Sequence, residues 1–239
     1  SISNIEILIS NGHIQEISQS IQGASNHIDA QNCIITPGLI DSHTHPIFIG
    51  NRANEFTMRC SGKTYQEITA NGGGIITSVN KLRNATEDEL FISSLKNIKS
   101  FIKHGTTVLE AKSGYGLSVE DELKSLRVIR RLNEISILDI IPTFLGAHAI
   151  PPEYENAKEK YIKIICNEMI PIIAEEKLAV FCDVFCEEGY FSVNDSRKIL
   201  ETAKKYNLIP RMHADEFVYS GAAELAKEIG AVSADHLMA

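Results

Sequence analysis

The chain contains no tryptophan, only seven prolines, and no apolar run near the roughly 18–20 residues that span a bilayer, so no membrane helix is expected. Its five cysteines, Cys33, Cys60, Cys166, Cys182 and Cys186, are odd in number and irregular in spacing, and no CxxC occurs. That argues against a disulfide framework and a thiolate zinc site, and it fits a reducing cytoplasm. Basic residues are the minority: 23 Lys and Arg face 31 Asp and Glu, a formal net charge of −8. Phosphate repels such a chain, so nucleic acid held by bulk charge is not expected either. The first residues, Ser1-Ile2-Ser3-Asn4-Ile5, lack the basic and long apolar regions of a secretory leader, and no initiator Met precedes them, which suggests upstream sequence. No internal repeat and no low-complexity linker is visible.

What is present is ordinary globular material, 44% hydrophobic and 23% charged over 239 residues. The first thirty-odd residues predict a small β unit. Ile5, Ile7 and Ile9 alternate with other residues, Asn11-Gly12 is a hairpin turn signal, and His13–Ile17 follows. From Ile34 the rhythm changes. Short apolar runs at Leu39–His45, Thr107–Ala111, Asp139–His148, Val180–Cys186, Ile209–His213 and Ala231–His236 alternate with helical stretches. Thr86 and Glu89 predict a capping box for a helix that carries Phe91, Leu95, Ile98 and Ile102 and stops at Gly105. Ser118 opens the next, with Leu123, Leu126, Ile129 and Leu132 at helical spacing. Ala157 to about Lys177 forms a third, kinked or divided at Pro171. Ser192 starts a fourth and Gly230 ends a fifth. Repeated β-then-α order predicts a parallel sheet, open or closed into a barrel.

About forty residues separate the first run from the first capped helix, and they include Arg52, Arg59 and Asn71-Gly72-Gly73-Gly74. An insertion of that size after a strand suits a ligand-facing loop. The glycines suit either a close backbone approach or a plain turn. No Lys-Ser/Thr follows them, so a P-loop is excluded.

The histidines carry the sharpest signal. In Pro37-Gly38-Leu39-Ile40-Asp41-Ser42-His43-Thr44-His45, residues two apart on a strand point the same way, so His43 and His45 present two imidazoles to one face. Such a pair at the end of an apolar run is costly unless something binds it, and a divalent metal does. His148, His213 and His236 each end a further apolar run. Five of eight histidines therefore sit at the C-terminal ends of candidate parallel strands, where α/β folds place their sites. His13, His27 and His104 read as surface residues.

At this point the sequence resembles the amidohydrolase superfamily, and within it the imidazolonepropionase family. The stretches that carry the resemblance are Pro37–Arg52, Gly62–Thr77, Glu110–Leu117, Pro142–Pro152, Phe181–Gly189, His213–Phe217 and Ser233–Leu237, so it runs from about Thr36 to the last residue. His-x-His is shared across the superfamily, whereas Lys112-Ser113-Gly114-Tyr115-Gly116-Leu117 and Thr143-Phe144-Leu145-Gly146-Ala147-His148-Ala149 are particular to this family.

The resemblance implies a TIM-like (β/α)8 amidohydrolase barrel, here incomplete with about six core strands over 36–239, preceded at 1–35 by part of a small β-sandwich domain. It implies that His43, His45 and His213 are metal ligands, that Glu216 acts on the attacking water, and that His236 stands beside that water. It implies substrate contacts from Arg52, Tyr115 and His148. The metal would be one divalent zinc ion, or iron. The fourth metal ligand and the last two strands would follow the present C-terminus. The implied activity, in histidine degradation, opens the cyclic amide of 4-imidazolone-5-propanoate to N-formimidoyl-L-glutamate, in a cytoplasmic homodimer.

The chemistry of the residues agrees with these roles. A divalent metal lowers the pKa of bound water toward ~7, and a nearby carboxylate can relay its proton to the departing nitrogen. Glu216 lies three residues beyond His213, the wrong face of a continuous strand, so its role requires the chain to turn there. A guanidinium matches a propionate carboxylate bidentately, although an Arg in a loop is by default solvated. The candidate fourth strand, Val180–Glu187, has no Lys to bridge two metals, which favours one. Cys182 and Cys186 stand too far apart along a strand for a thiolate pair and read as inert, and Asp183 and Asp215 are candidates to fix histidine tautomers. Two other readings fit the same residues. One is a mononuclear amidohydrolase or deaminase of another nitrogen heterocycle. The other is an inactive, truncated metal-binding fragment.

Overall fold

The structure is a computed structural model that describes residues 4–64, 67 and 73–239. Asn71 and Gly72 of the glycine-rich segment, and Ser1–Ser3, lie outside the described residues. The chain divides into two compact units, 1–37 and 38–239.

The first unit holds an antiparallel hairpin of β1 (Glu6–Ser10) and β2 (His13–Ser18). Asn11 and Gly12 both take positive φ, 51° and 76°, as the tight hairpin turn requires.

The second unit is a curled half-barrel of parallel strands with helices between them. In chain order it runs β3 (Leu39–Asp41), α1 (Ala53–Cys60), α2 (Ile75–Asn84), α3 (Glu87–Lys103), β4 (Thr106–Lys112), α4 (Val119–Ile135) and β5 (Asp139–Ala147). It continues with α5 (Lys158–Ile164), α6 (Ile170–Glu175), β6 (Phe181–Cys186), α7 (Val193–Lys205), β7 (Ile209–Pro210), β8 (Met212–Ala214), α8 (Ala222–Ile229) and β9 (Ala234–His236). The sheet order is β3-β4-β5-β6-β8-β9, and β7 also pairs with β6. β7 and β8 are two pieces of one barrel strand, interrupted at Arg211, whose N–H still donates to Cys182 O at 2.8 Å. Every predicted run thus supplies a strand position in one parallel sheet. This is an incomplete TIM-like barrel.

The helix signals act as expected. Thr86 accepts the Glu89 amide while the Glu89 side chain returns to the Thr86 N–H, and Ser192 and Asp195 form a second such box. Ser118 accepts from the Asp121 amide. Gly105 and Gly230 end their helices with positive φ. Pro171 acts less directly than a kink would. It sits in the first turn of α6, after a π-turn over Ile165–Met169 that joins α5 to α6. Proline lacks an N–H and its ring crowds the preceding turn, and the wider π-turn accommodates both effects.

The core lies between the sheet and the helices, with Leu109, Phe144, Val184 and Met212 from strands meeting Leu90, Leu126, Ile129 and Leu200 from helices, all fully buried. Helix α8, ending at Gly230, covers the last pieces of the sheet.

Candidate active site

Five histidines gather at the C-terminal ends of the strands. Ring centroids lie 4.5 Å apart for His43–His213, 5.3 Å for His43–His45, 5.4 Å for His45–His213 and 5.0 Å for His43–His236. His148 stacks on His45 at 5.0 Å. Their placement differs in detail from the strand argument. β3 ends at Asp41, so His43 and His45 lie just beyond it rather than on it. The segment stays attached to β4 through Thr44, whose carbonyl accepts the Lys112 N–H at 3.1 Å and whose hydroxyl donates to Glu110 O at 2.6 Å. His213 is in the middle of β8 and His236 closes β9.

The donor set suits a divalent cation. Both ring nitrogens of His43, and Nδ1 of His45 and of His213, are buried without an aligned hydrogen bond. Nε2 of His45 and Nε2 of His213 face each other at 3.3 Å. Buried imidazole nitrogens aimed at one another are unfavourable until a cation or proton lies between them. Ligand atoms of His43, His213 and His236 also fall within 4.8 Å of one another. His43 and His213 are thus common to two overlapping triplets, one completed by His45 and the other by His236.

Carboxylates orient the rings. Asp183 Oδ2 lies 3.0 Å from His213 Nδ1, while its Oδ1 accepts the His213 N–H at 3.2 Å. Asp235 Oδ2 lies 2.9 Å from His43 Nδ1. Burial favours a neutral Asp183, but His213 and Lys112 outweigh it and hold the carboxyl well below the usual range. Burial likewise raises Asp235, and His43 and Arg211 bring it down to about 2. His45 is pushed well below the ordinary imidazole value by burial first, then by His148 and His213. His148 falls to about 3 for the same leading reason. Its Nδ1 sits 2.8 Å from Gly114 O, and a carbonyl only accepts, so Nδ1 carries the proton. Asp215, expected to hold a histidine, instead accepts the amides of Ser220, Ala222 and Ala223 and shapes the loop before α8.

Glu216 meets its geometric condition. Asp215 takes φ 50°, the strand ends, and Glu216 Oε2 comes within 3.6 Å of His236 Nε2. His236 itself has φ 79°, an uncommon value for a residue with a Cβ and one that concentrates at functional positions. Burial lowers the His236 pKa, and Glu216 opposes the shift.

Tyr115 stands on the other side of the cluster, 5.3 Å from His148 and 6.1 Å from His45 between ring centroids. Its Gly-Tyr-Gly loop is pinned by Glu122, a fully buried carboxylate that accepts the N–H groups of Gly114 (3.1 Å), Gly116 (2.8 Å) and Leu117 (2.9 Å). Gly114 has φ 104°, and a Cβ there would sit 3.0 Å from both His148 Nδ1 and Leu145 O, so only glycine fits. Arg52 is placed differently. It is exposed at the start of α1, and its ion pair, at 3.9 Å, is with Glu55. Among the described residues no hydrogen bond or ion pair joins it to the histidines.

The residues missing from the sequence argument are Asp235, Glu122 and a buried group of Glu110, Lys112 and Arg211. Glu110 and Lys112 alternate with Ala111 in an apolar strand, and charge at i and i+2 in such a strand was the available signal.

No family model matches the chain. It is 50% identical over 244 residues to the imidazolonepropionase of Clostridium tetani, covering 99% of this chain and 58% of that protein. The imidazolonepropionase of Thermoanaerobacter pseudethanolicus is 48% identical, with 99% and 57% covered. The chain therefore spans under three-fifths of the length of these relatives. Among solved structures, 5-methylcytosine deaminase from Klebsiella pneumoniae, liganded with phosphonocytosine, superposes with a TM-score of 0.68 at 16% identity, over 95% of this chain and 53% of that one. That likeness concerns the fold.

Proposed function

From its kinship with the imidazolonepropionases, we propose that this chain carries the hydrolytic centre of an enzyme of histidine degradation. The enzyme opens the cyclic amide of 4-imidazolone-5-propanoate to N-formimidoyl-L-glutamate. The observation that carries the reading is the near-50% identity along the whole chain, joined to a histidine cluster whose bare nitrogens converge.

In this reading His43, His45 and His213 hold one divalent zinc, or iron, with His236 at the edge of the same group. When bound, the metal would supply an acidified water and a polarised carbonyl. Glu216 takes the water's proton and returns it to the ring nitrogen as the amide C–N bond breaks. Water is thereby divided between the new carboxylate and the released nitrogen. His236, 3.6 Å from Glu216, orients that carboxylate. Neutral His148 and the ring of Tyr115 form the wall against which the imidazolone lies. Arg52 receives the propionate, which requires its exposed side chain to turn from Glu55 toward the substrate. We extend the proposal to a homodimer in the cytoplasm, which sedimentation and fractionation would check.

Zinc-loaded protein is expected to consume imidazolonepropionate and to lose that activity on chelation. Cytosine, which has no carboxylate for Arg52, is expected to remain untouched. Deamination of cytosine with no turnover of imidazolonepropionate would overturn the reading.

A further inference from the structure

Beneath the histidines the half-barrel interior holds charges to which the proposed chemistry gives no task. Lys112 is completely buried, with Nζ 2.6 Å from both Glu110 Oε1 and Asp183 Oδ2. Arg211, 7% exposed, brings Nη2 to 3.1 Å from Asp235 Oδ2 and 2.8 Å from Ser42 O. Glu110 links the two cations, accepting from Thr143 Oγ1 at 2.6 Å and lying 3.4 Å from Arg211 Nε.

Each cation leads through one carboxylate to one histidine. Lys112 meets Asp183, which meets His213 Nδ1; Arg211 meets Asp235, which meets His43 Nδ1. We propose that Lys112 and Arg211 are paired positioning residues for the metal site, each locking the carboxylate that fixes the Nδ1–H of one histidine. His213 and His43 then both present a bare Nε2 toward the cation.

Three observations carry this. Burying an ammonium is costly unless it is paired closely, and Lys112 is held between two carboxylates, one of which faces a histidine. Of the three carboxylates that these cations hold, Asp183 and Asp235 lie within 3.0 Å of histidine Nδ1 atoms. Counted together, two cations against three carboxylates leave one surplus negative charge under the cluster, which favours a divalent cation above it. The inference rests on the reading that the histidines hold a metal, and not on the identity of the substrate.

The test measures metal, not turnover. Lys112→Met and Arg211→Met are each expected to weaken zinc affinity by about 10- to 100-fold in chelator competition, and to shift the visible bands of the cobalt-loaded protein. Arg211→Lys, which keeps the charge, is expected to recover part of the loss. Variants that fold and bind zinc and cobalt like the unsubstituted protein would overturn the proposal. So would a lowered melting temperature with an unchanged cobalt spectrum, which marks a purely structural role. If the variants fail to fold, side-chain nitrogen NMR of the unsubstituted, metal-free protein decides. Protons on Nδ1 of His43 and His213 support the proposal, and protons on Nε2 refute it. Altered metal affinity without imidazolonepropionate turnover would sink the substrate reading and leave this one standing; turnover with unaltered affinity would do the reverse.

Discussion

Strand β5, in the middle of the sheet, has nine residues, a neighbour on each side, and complete burial from Thr143 to Ala147. Strands β3 and β9, at its two edges, have three residues each, and Leu39 and Ile40 of β3 are 57% and 70% exposed. The histidines straddle this divide. His213 stands on a buried strand, whereas His43 and His236 belong to the edges. A site spread over regions of such different packing needs something other than apolar burial to hold its margin in place. The contact of Asp235 with His43 and Arg211 joins one edge to the other and to the interior, and does so with charge. The centre of the sheet combines apolar packing with the buried Lys112 ion pairs, whereas its edges are joined chiefly by charge.

Phe144→Ala should produce the largest difference between the two regions. The ring is fully buried and packs close to Gly146, where an added Cβ would lie 2.5 Å from it. A loss of about 3–5 kcal/mol is expected in urea unfolding. A loss below 1 kcal/mol would show that the centre is not packed as described.

Acid should act at the next level. In the metal-free protein His148 titrates near 3, and its ordinary value is 6.5. Between those values the unfolded chain takes up a proton that the folded chain refuses. Stability is therefore complete above pH ~6.5 and declines as pH falls toward 3, by at most about 1.4 kcal/mol per pH unit from this residue. His148→Gln should flatten that part of the stability profile, and an unaltered slope would contradict the buried, neutral imidazole.

The smallest effect is expected at the edge. Ile40→Thr changes a largely exposed side chain and should shift unfolding by no more than about 0.5 kcal/mol. A shift of several kcal/mol would mean that the face of β3 is covered in solution.

Much of this arrangement was legible in the residues, because it depends on local pattern. Alternating apolar runs marked each strand, and Thr86, Ser118 and Ser192 marked helix starts through caps that lie within three residues of one another. The turn that brings Glu216 to His236 was foreseeable as a requirement, and Asp215 supplies it. What was not legible depends on distant parts of the chain. Lys112 and Asp183 are 71 residues apart, and Arg211 reaches Ser42 across 169. A charged residue in an apolar strand can be noticed from sequence, but its counter-ion is chosen by strand order and register. Arg211 belongs with these residues, since from between β7 and β8 its side chain meets Asp235 and Glu110. Arg52 shows the converse. Chemistry alone suited it to a carboxylate, but its position at the start of α1 leaves it exposed beside Glu55.

Glu122 has a consequence for flexibility. By accepting three amides from residues five to eight positions earlier, it closes a short loop without a covalent bond. Closing such a loop removes conformational freedom in the way a cross-link does, and the chain has no disulfide to do it. This closure opens when its hydrogen bonds break, without redox chemistry. The segment bearing Tyr115 is therefore tied back to α4 by hydrogen bonds alone.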